Sequence, residues 1–477
     1  ASQSNLVIEN LNVDGMRMVD DPETVNVGGS ISTGFAASFW YSTVEWNKGS
    51  VTNSEFIGLL NALSTVTLGT DANGDGVEIA GNWYHGIWNY EGTLNVSGAS
   101  FTRSAGYYGL SAELYPYTSG LYATNASTVV DSAHFHDNRE TRYYEYTNNG
   151  QVIGVETAYA SQDIRTHSGS LEVTNTIFET GSMGIDISET ETEITGCTWT
   201  DYNEAVIDAW SNSASPLVVE DAQMTNVGGD VISCNYGGLD IRDVTITTAA
   251  GILNESTTWI DGSEIDQSSY TYEYPTISTS DCSLYVNGLD ITDSSDQALR
   301  ALGGEIELYD VEVTGGGTGN LSSDAAVEIE YSSGTPSVYV AGLTVTDHQV
   351  APGLRISSNS STEGSVSVSD VSITGSGSYG MVLGPLPGTN NTFSEIESTA
   401  NASDGVYISN AEVAFGTEDT TDPTNNTAGV HSAYNTGHGL YVVDSTVSAV
   451  ESILSDNIGS GVVITNSTTE LAHATVA

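Results

Sequence analysis

Apolar residues recur along this chain at four positions offset by 0, +2, +5 and +7. Leu6, Ile8, Leu11 and Val13 fit the pattern, as do Leu94, Val96, Ala99 and Phe101. The spacing returns from Leu239, Leu284, Ile306, Val338 and Val366, and looser copies start at Leu171, Thr192, Leu217, Thr258, Asn391, Val447 and Thr469. Between 171 and 306 the starts are separated by 21, 25, 22, 19, 26 and 22 residues. A third apolar segment follows each start by about 14 residues, for example Gly184-Ile185-Asp186-Ile187, Ala205-Val206-Ile207, Gly353-Leu354-Arg355-Ile356 and Gly405-Val406-Tyr407-Ile408. Alternation with period 2 sends Leu, Val and Ile to one side of a strand and the intervening Asp, Glu, Ser and Thr to the other. A unit of this size cannot bury its apolar side alone, so a repeat of about 22 residues predicts stacked coils.

The predicted fold is therefore all-β: a parallel β-helix with three short strands per coil, separated by Gly, Asn, Asp and Ser turns. Its expected organisation is one continuous solenoid, with loop-rich coils over 1–170 and regular coils over 171–477. In the first part the copies at 6, 49, 94, 128 and 171 lie 43, 45, 34 and 43 residues apart. Such intervals fit either two coils with one unrecognised or single coils carrying long loops. Thr469, Leu471, Ala474 and Val476 keep the pattern up to Ala477, which implies further chain or another copy of the protein against that end. Ala1 opens almost directly onto a strand, as a mature or excised segment does.

The coils, and the segment Ser452-Ile-Leu-Ser-Asp-Asn-Ile-Gly-Ser-Gly-Val-Val-Ile464 above all, resemble the right-handed parallel β-helix of the pectate-lyase-like superfamily. The likeness is greatest to the degenerate β-helix repeats of bacterial and archaeal cell-surface proteins. That resemblance implies an extracellular, cell-surface setting and says little about activity, because one scaffold hosts many functions.

Composition narrows the partners. Asp and Glu number 62 against 9 Lys and Arg, a formal net charge of -53, although only 15% of residues are charged. Such a field repels nucleic acids and anionic lipid and leaves cations, neutral glycans and proteins, copies of the chain included, as partners. No apolar run reaches the ~18–20 residues that span a membrane. Cys197, Cys234 and Cys282 are too few and too scattered for a disulfide framework and read as small core residues.

Candidate chemistry is sparse. Asp71-Ala-Asn73-Gly-Asp75-Gly76 spaces oxygen ligands as a Ca2+ loop does, with Val77 offering a carbonyl, yet the twelfth position is Asn82 rather than a bidentate acid. A plain Gly/Asp turn is the alternative. Calcium is nonetheless the expected cofactor, because acidic residues stacked ~4.8 Å apart on neighbouring coils repel unless screened. Trp83, Trp88, Tyr107, Tyr108, Tyr115 and Tyr117 cluster in the loop-rich third and are candidates for stacking on sugar rings, or for packing loops against the coils. His134, His136, Arg139 and Arg142 form the one basic stretch, a candidate grip for an acidic ligand or an adjacent subunit, with a solvated loop offsetting Asp131, Asp137, Glu140 and Glu145 as the favoured alternative. Gly437-His438-Gly439 lacks the paired aspartates and downstream basic residues of a polygalacturonase-like site, and Arg242 and Arg300 stand apart, each expected to pair a nearby acid. Sequons open to glycosylation are Asn95, Asn125, Asn254, Asn320, Asn359, Asn390, Asn401, Asn425 and Asn466, about the number chance provides. The expected function is thus a rigid, non-enzymatic segment of a surface stalk, sheath, adhesin or filament. A glycan-binding tailspike or adhesin, and a polysaccharide lyase or hydrolase, are the alternatives. An aromatic-lined cleft with converging carboxylates favours the enzyme, and ladder-continuing contacts between chains favour the filament.

Overall fold

The computed structural model describes residues 4–14, 35–54, 57–82, 85–102, 118–138, 141–148, 151–159, 161–210, 215–234, 237–249, 251–254, 258–267, 275–280, 282–317, 325–331, 337–349, 351–358, 364–388, 390–417 and 427–477, except the side chains of 141–148, 151–159, 161, 253 and 254. Among them every regular element is a strand, and the chain forms two compact units, 1–237 and 238–477. Each unit is a stack of parallel coils, the β-helix that the repeat predicts.

In unit 2 the four-position pattern becomes four inward rows. Leu284 pairs in register with Ile306, Ile306 with Val338, and Val338 with Val366; Leu289, Val311, Leu343 and Val371 form the parallel row five residues on. All eight are essentially inaccessible to water. Burying each such side chain contributes roughly 1.5–3 kcal/mol, so repetition of the pattern supplies the cohesion of the stack. The first two strands of a coil meet at a single residue with positive φ. Asp310, Gly342 and Asp370 take this corner on successive coils, at φ of 50°, 76° and 53°. A Cβ on Gly342 would lie 2.7 Å from the Asp310 Oδ1 that folds over it. Glycine thus separates the corner carboxylates by two coils instead of one, which relieves part of the repulsion expected of an acidic ladder.

The N-terminal intervals resolve in both of the expected ways. Leu6, Ile8, Leu11 and Val13 pair with Val44, Trp46, Gly49 and Val51, so that copy starts at 44 rather than 49. Val66, Leu68, Val77 and Ile79 then form a coil that the spacing did not reveal, between those of Val44 and Leu94. Residues 69–76 are inserted at its first corner and shift its second strand out of the +5, +7 pattern. A coil over Val413, Phe415, Val430 and Ser432 was hidden in the same way by the segment between Phe415 and Val430. The interval from 128 to 171, by contrast, is one coil, which carries an antiparallel hairpin of Thr141–Asn148 and Gln151–Tyr159.

Phe101, Phe135, Phe178 and Trp199 stack through the interior of unit 1 with centroids 4.3, 5.0 and 4.8 Å apart. Cys197, Cys234 and Cys282 are buried, as expected of core residues. No helix among the described residues is long and apolar enough to cross a membrane.

Candidate functional site

The third strand of each coil in unit 1 presents one outward residue at a fixed height, and register aligns these residues into a row. Trp88 in His85–Tyr90 pairs with Tyr122 in Thr118–Asp131, which pairs with Arg165 in Ser161–Thr174. Arg165 pairs with Asp186 in Met183–Thr195, Asp186 with Asp208 in Ile207–Trp210, and Asp208 with Ser233 in Ile232–Cys234. Two residues further along the same strands run Tyr90, Thr124, His167, Ser188 and Trp210. Aromatic, cationic and acidic side chains therefore follow one another at strand spacing, ~4.8 Å.

From Trp88 to Asp186 each member contacts the next. The Trp88 and Tyr122 rings are 6.1 Å apart and 23° from parallel, and Tyr90 meets Trp88 edge-on at 6.0 Å. Arg165 Cζ lies 5.7 Å from the Tyr122 ring centre, a cation–π contact, while its Nε is 3.2 Å from Asp186 Oδ2. The Trp210 indole donates to Asp208 Oδ2 at 2.5 Å. Beneath the aromatic end, His85 is buried with Nδ1 2.8 Å from Ser119 Oγ. Burial, and secondarily Arg165, press its pKa down to about 3, so it is neutral at ordinary pH.

The acidic end carries surplus negative charge. Burial lifts Asp186 to about 6 against the pull of Arg165, and neighbouring Asp208 adds to the rise. Asp208, Glu204 and Asp230 are raised as well, each first by burial; Asp208 contributes repulsion to the other two, while the Trp210 indole and the Ser233 hydroxyl draw Asp208 back.

Of the stacking candidates named from sequence, Trp88 lies in this row. Trp83, Tyr107, Tyr108, Tyr115 and Tyr117 lie outside the described residues. Tyr122, Arg165, Asp186, Asp208 and Trp210 were missed. The signal was present: Gly120-Leu121-Tyr122-Ala123 and Gly86-Ile87-Trp88-Asn89 match Gly184-Ile185-Asp186-Ile187 position by position.

The Asp71–Gly76 loop is the insertion at the hidden coil's first corner, and its carboxylates converge on Lys48, the only lysine of the chain. Lys48 Nζ is 2.8 Å from Asp71 Oδ2 and 2.5 Å from Asp75 Oδ2. Asp71 Oδ1 accepts the amides of Asn73 and Asp75 at 2.7 and 3.1 Å, while Val77 opens the strand Val77–Ala80 and pairs with Gly49. The Lys48 hydrogen bond, followed by the Asn73 amide, lowers the Asp71 pKa to about 2. The arrangement of Asp71, Asn73, Asp75 and Val77 suits an ammonium, and a calcium ion has to displace it. Among the described residues no group of three or more His, Cys, Asp or Glu is arranged to hold a metal. Lys48→Met is accordingly expected to open the loop to calcium. Calcium at about a hundred times its dissociation constant then adds about 2.7 kcal/mol to the variant's stability. A calcium-dependent rise in melting temperature as large in the parent as in Lys48→Met refutes this.

The remaining candidates take structural positions. His134 Nε2 is 3.0 Å from Glu179 Oε2, and His136 Nδ1 is 3.5 Å from Asp137 Oδ2; Arg139 and the Arg142 side chain lie outside the described residues. Arg242 pairs with Asp240 on its own strand, whereas Arg300 and Arg355 approach Glu328 from either side, at 3.9 and 3.7 Å. In Gly437-His438-Gly439, the His438 amide donates to Asp404 Oδ1 at 2.6 Å and Nδ1 accepts from the Ser460 amide at 2.8 Å. Asn401 is corrected as a glycosylation candidate. It is 1% exposed, and its Nδ2 donates to Asn435 Oδ1 and Ser398 Oγ at 2.8 and 3.1 Å in an internal ladder, so no sugar reaches it. Asn125, Asn390 and Asn466 are exposed and Asn95 is half-buried; Asn320, Asn359, Asn425 and the Asn254 side chain lie outside the described residues.

No protein-family model matches the chain, and no curated protein does. Among solved structures it is similar to PfbA, a surface adhesin of Streptococcus pneumoniae, at 11% identity over 91% of this chain and 84% of that one, with a TM-score of 0.22. The Siphovirus 9NA tailspike receptor binding domain matches at 10% identity over 91% and 72%, with a TM-score of 0.19. The Azotobacter vinelandii mannuronan C-5 epimerase AlgE6 A-module matches at 10% over 90% of each chain, with a TM-score of 0.15. Superposition this loose leaves the parallel coils themselves as the basis for placing this chain among β-helix proteins, and function has to rest on the outward row.

Proposed function

We propose that the chain is a rigid extracellular β-helix of the adhesin type that binds a glycan along the outward face of unit 1. The observation that carries this is the row Trp88, Tyr122, Arg165, Asp186 and Asp208, with Tyr90, Ser188 and Trp210 beside it. Sugars present apolar ring faces and vicinal hydroxyls, and they are held by aromatic rings together with planar hydrogen-bonding groups. This face supplies both within a few strand spacings, on a backbone already ordered by its ladders, so little conformational entropy is lost on binding. The acidic surface also disfavours polyanionic glycans.

Replacing Trp88 and Tyr122 together by alanine is expected to weaken glycan binding at least about tenfold, as loss of large aromatic anchors does. Calorimetry against a panel of oligosaccharides tests this, with thermal melting to confirm folding. Equal affinity of the parent and the doubly substituted chain for every ligand that binds refutes the assignment. A second reading, a glycoside-cleaving enzyme, is favoured by one feature: Asp186 and Asp208 lie side by side on adjacent strands, a pairing used for acid–base work. Chromatography of the oligosaccharides after long incubation separates the two, since a binding protein returns them intact.

A further inference from the structure

We propose that His134 and His136 together hold one transition-metal dication (zinc, nickel or copper) on the second-strand face of unit 1, apart from the outward row. The two imidazoles occupy alternate positions of the strand His134–His136, so both project outward and stay partly exposed. Phe135 between them is buried in the internal aromatic stack, which fixes the backbone that carries both rings. Alternate residues of a strand stand ~6.6 Å apart, yet these ring centres are 4.7 Å apart, so the imidazoles lean together. Two imidazoles on one ion, each bound at about 2.0–2.1 Å, have ring centres roughly 4.5–5 Å apart.

The hydrogen-bond partners of the rings assign the nitrogens. His134 Nε2 lies 3.0 Å from Glu179 Oε2, and His136 Nδ1 lies 3.5 Å from Asp137 Oδ2. An ionised carboxylate only accepts, so in the neutral rings these two nitrogens carry the protons. The lone pairs are left on His134 Nδ1, which takes no hydrogen bond among the described residues, and on His136 Nε2, which accepts the Thr102 hydroxyl at 2.6 Å. A carboxylate behind a metal-bound imidazole fixes its tautomer and raises its basicity. Glu179 and Asp137 therefore orient the rings and balance the ion's charge without binding it. That agrees with the lack, among the described residues, of any group of three His, Cys, Asp or Glu arranged around an ion. Water completes the coordination, and the ion takes His136 Nε2 from the Thr102 hydroxyl, whose bond water replaces. Imidazole nitrogens favour zinc, nickel and copper over calcium and magnesium, which prefer oxygen.

The test is calorimetric titration of the protein with zinc chloride in a large excess of calcium. A net charge of -53 attracts any dication, and the calcium occupies that diffuse surface first. One zinc per chain is expected. His134→Gln and His136→Gln are each expected to weaken it by more than about a hundredfold, and Glu179→Gln by about tenfold, the usual cost of losing a carboxylate behind a metal-bound imidazole. His431→Gln, at a surface histidine of unit 2 beside Glu397, is the control and is expected to bind zinc as the parent does. The unsubstituted protein gives a second measurement that no folding defect disturbs: one equivalent of zinc is expected to shift the imidazole nitrogen resonances of His134 and His136 together. Zinc that survives both histidine substitutions, or leaves both resonances in place, is held by the acidic surface and overturns the proposal. Absence of binding above the calcium background overturns it too. Half a zinc per chain, with dimers in sedimentation, moves the second imidazole to another copy and overturns the single-chain site. Loss in Glu179→Gln as complete as in the histidine variants makes that carboxylate a ligand and overturns the two-imidazole assignment.

Discussion

Substituting Trp199 by alanine is expected to destabilise unit 1 by about 3–5 kcal/mol, among the largest losses that a single large-to-small core change produces. Trp199 is fully buried, its ring 4.8 Å from Phe178 and 2° from parallel, at the end of the stack that begins with Phe101. Removing the indole forfeits its transfer from water, leaves a cavity that backbone fixed by ladders on both sides cannot collapse, and loses a stacking partner worth roughly 0.5–1.5 kcal/mol. Trp199→Phe retains the stack and is expected to cost less than half as much. Denaturant titration followed by circular dichroism measures both, and near-equal midpoints for parent and Trp199→Ala refute the role given to the stack. In a repeat protein the loss falls on the substituted coil and its neighbours, so hydrogen exchange is expected to rise first in Thr198–Tyr202 and Ile177–Glu179.

Stability is also expected to fall as pH rises from about 4 to 7, through Asp163. This carboxyl is 1% exposed; Asn138 Nδ2 donates to its Oδ1 at 2.8 Å and the Tyr202 hydroxyl donates to its Oδ2. Burial raises its pKa to about 7, against the lowering effect of the Tyr202 and Asn138 hydrogen bonds. A carboxyl whose folded pKa exceeds its unfolded value favours folding fully below the unfolded pKa, near 4, and that contribution disappears as pH climbs through the folded pKa. At about 1.4 kcal/mol per unit, the change is up to about 4 kcal/mol between pH 4 and pH 8. Asp163→Asn removes the ionisation, so its stability relative to the parent should improve by that amount across the window. Other raised carboxyls such as Asp186 titrate nearby and add the same slope to both proteins, so the comparison isolates Asp163. Parallel stability curves for parent and variant from pH 4 to 8 rule the effect out. Asp71 works in the opposite sense: its lowered pKa favours folding above about 4, and that contribution is lost as pH falls towards 2.

What the sequence determined by itself was whatever depends on residues close along the chain. Period 2 settled which side chains face inward, because successive Cβ atoms of a strand point to opposite sides whatever lies beyond. Recurrence every 22 residues or so settled the parallel coils, since such a unit buries its apolar side only against copies of itself. The reading of Cys197, Cys234 and Cys282 as core residues rested on their small number and scatter, and all three are buried. Tertiary structure decided everything that depends on which coil lies against which. Two coils escaped notice because insertions after Leu68 and Phe415 break a spacing that the folded ladder does not require to be contiguous. The Asp71 loop met its cation in Lys48, 23 residues upstream and one coil away, a distance at which no local motif carries information. Asn401 satisfied a three-residue sequon and yet points inward, held by Asn435 from the next coil. The row from Trp88 to Asp208 is the largest instance. Its members are spread over 120 residues, and their alignment depends on the length of every intervening loop, the hairpin of 141–159 included. Outward strand positions carry no packing constraint that would mark them in sequence, so only the register of the stacked coils could bring these aromatic and charged groups together.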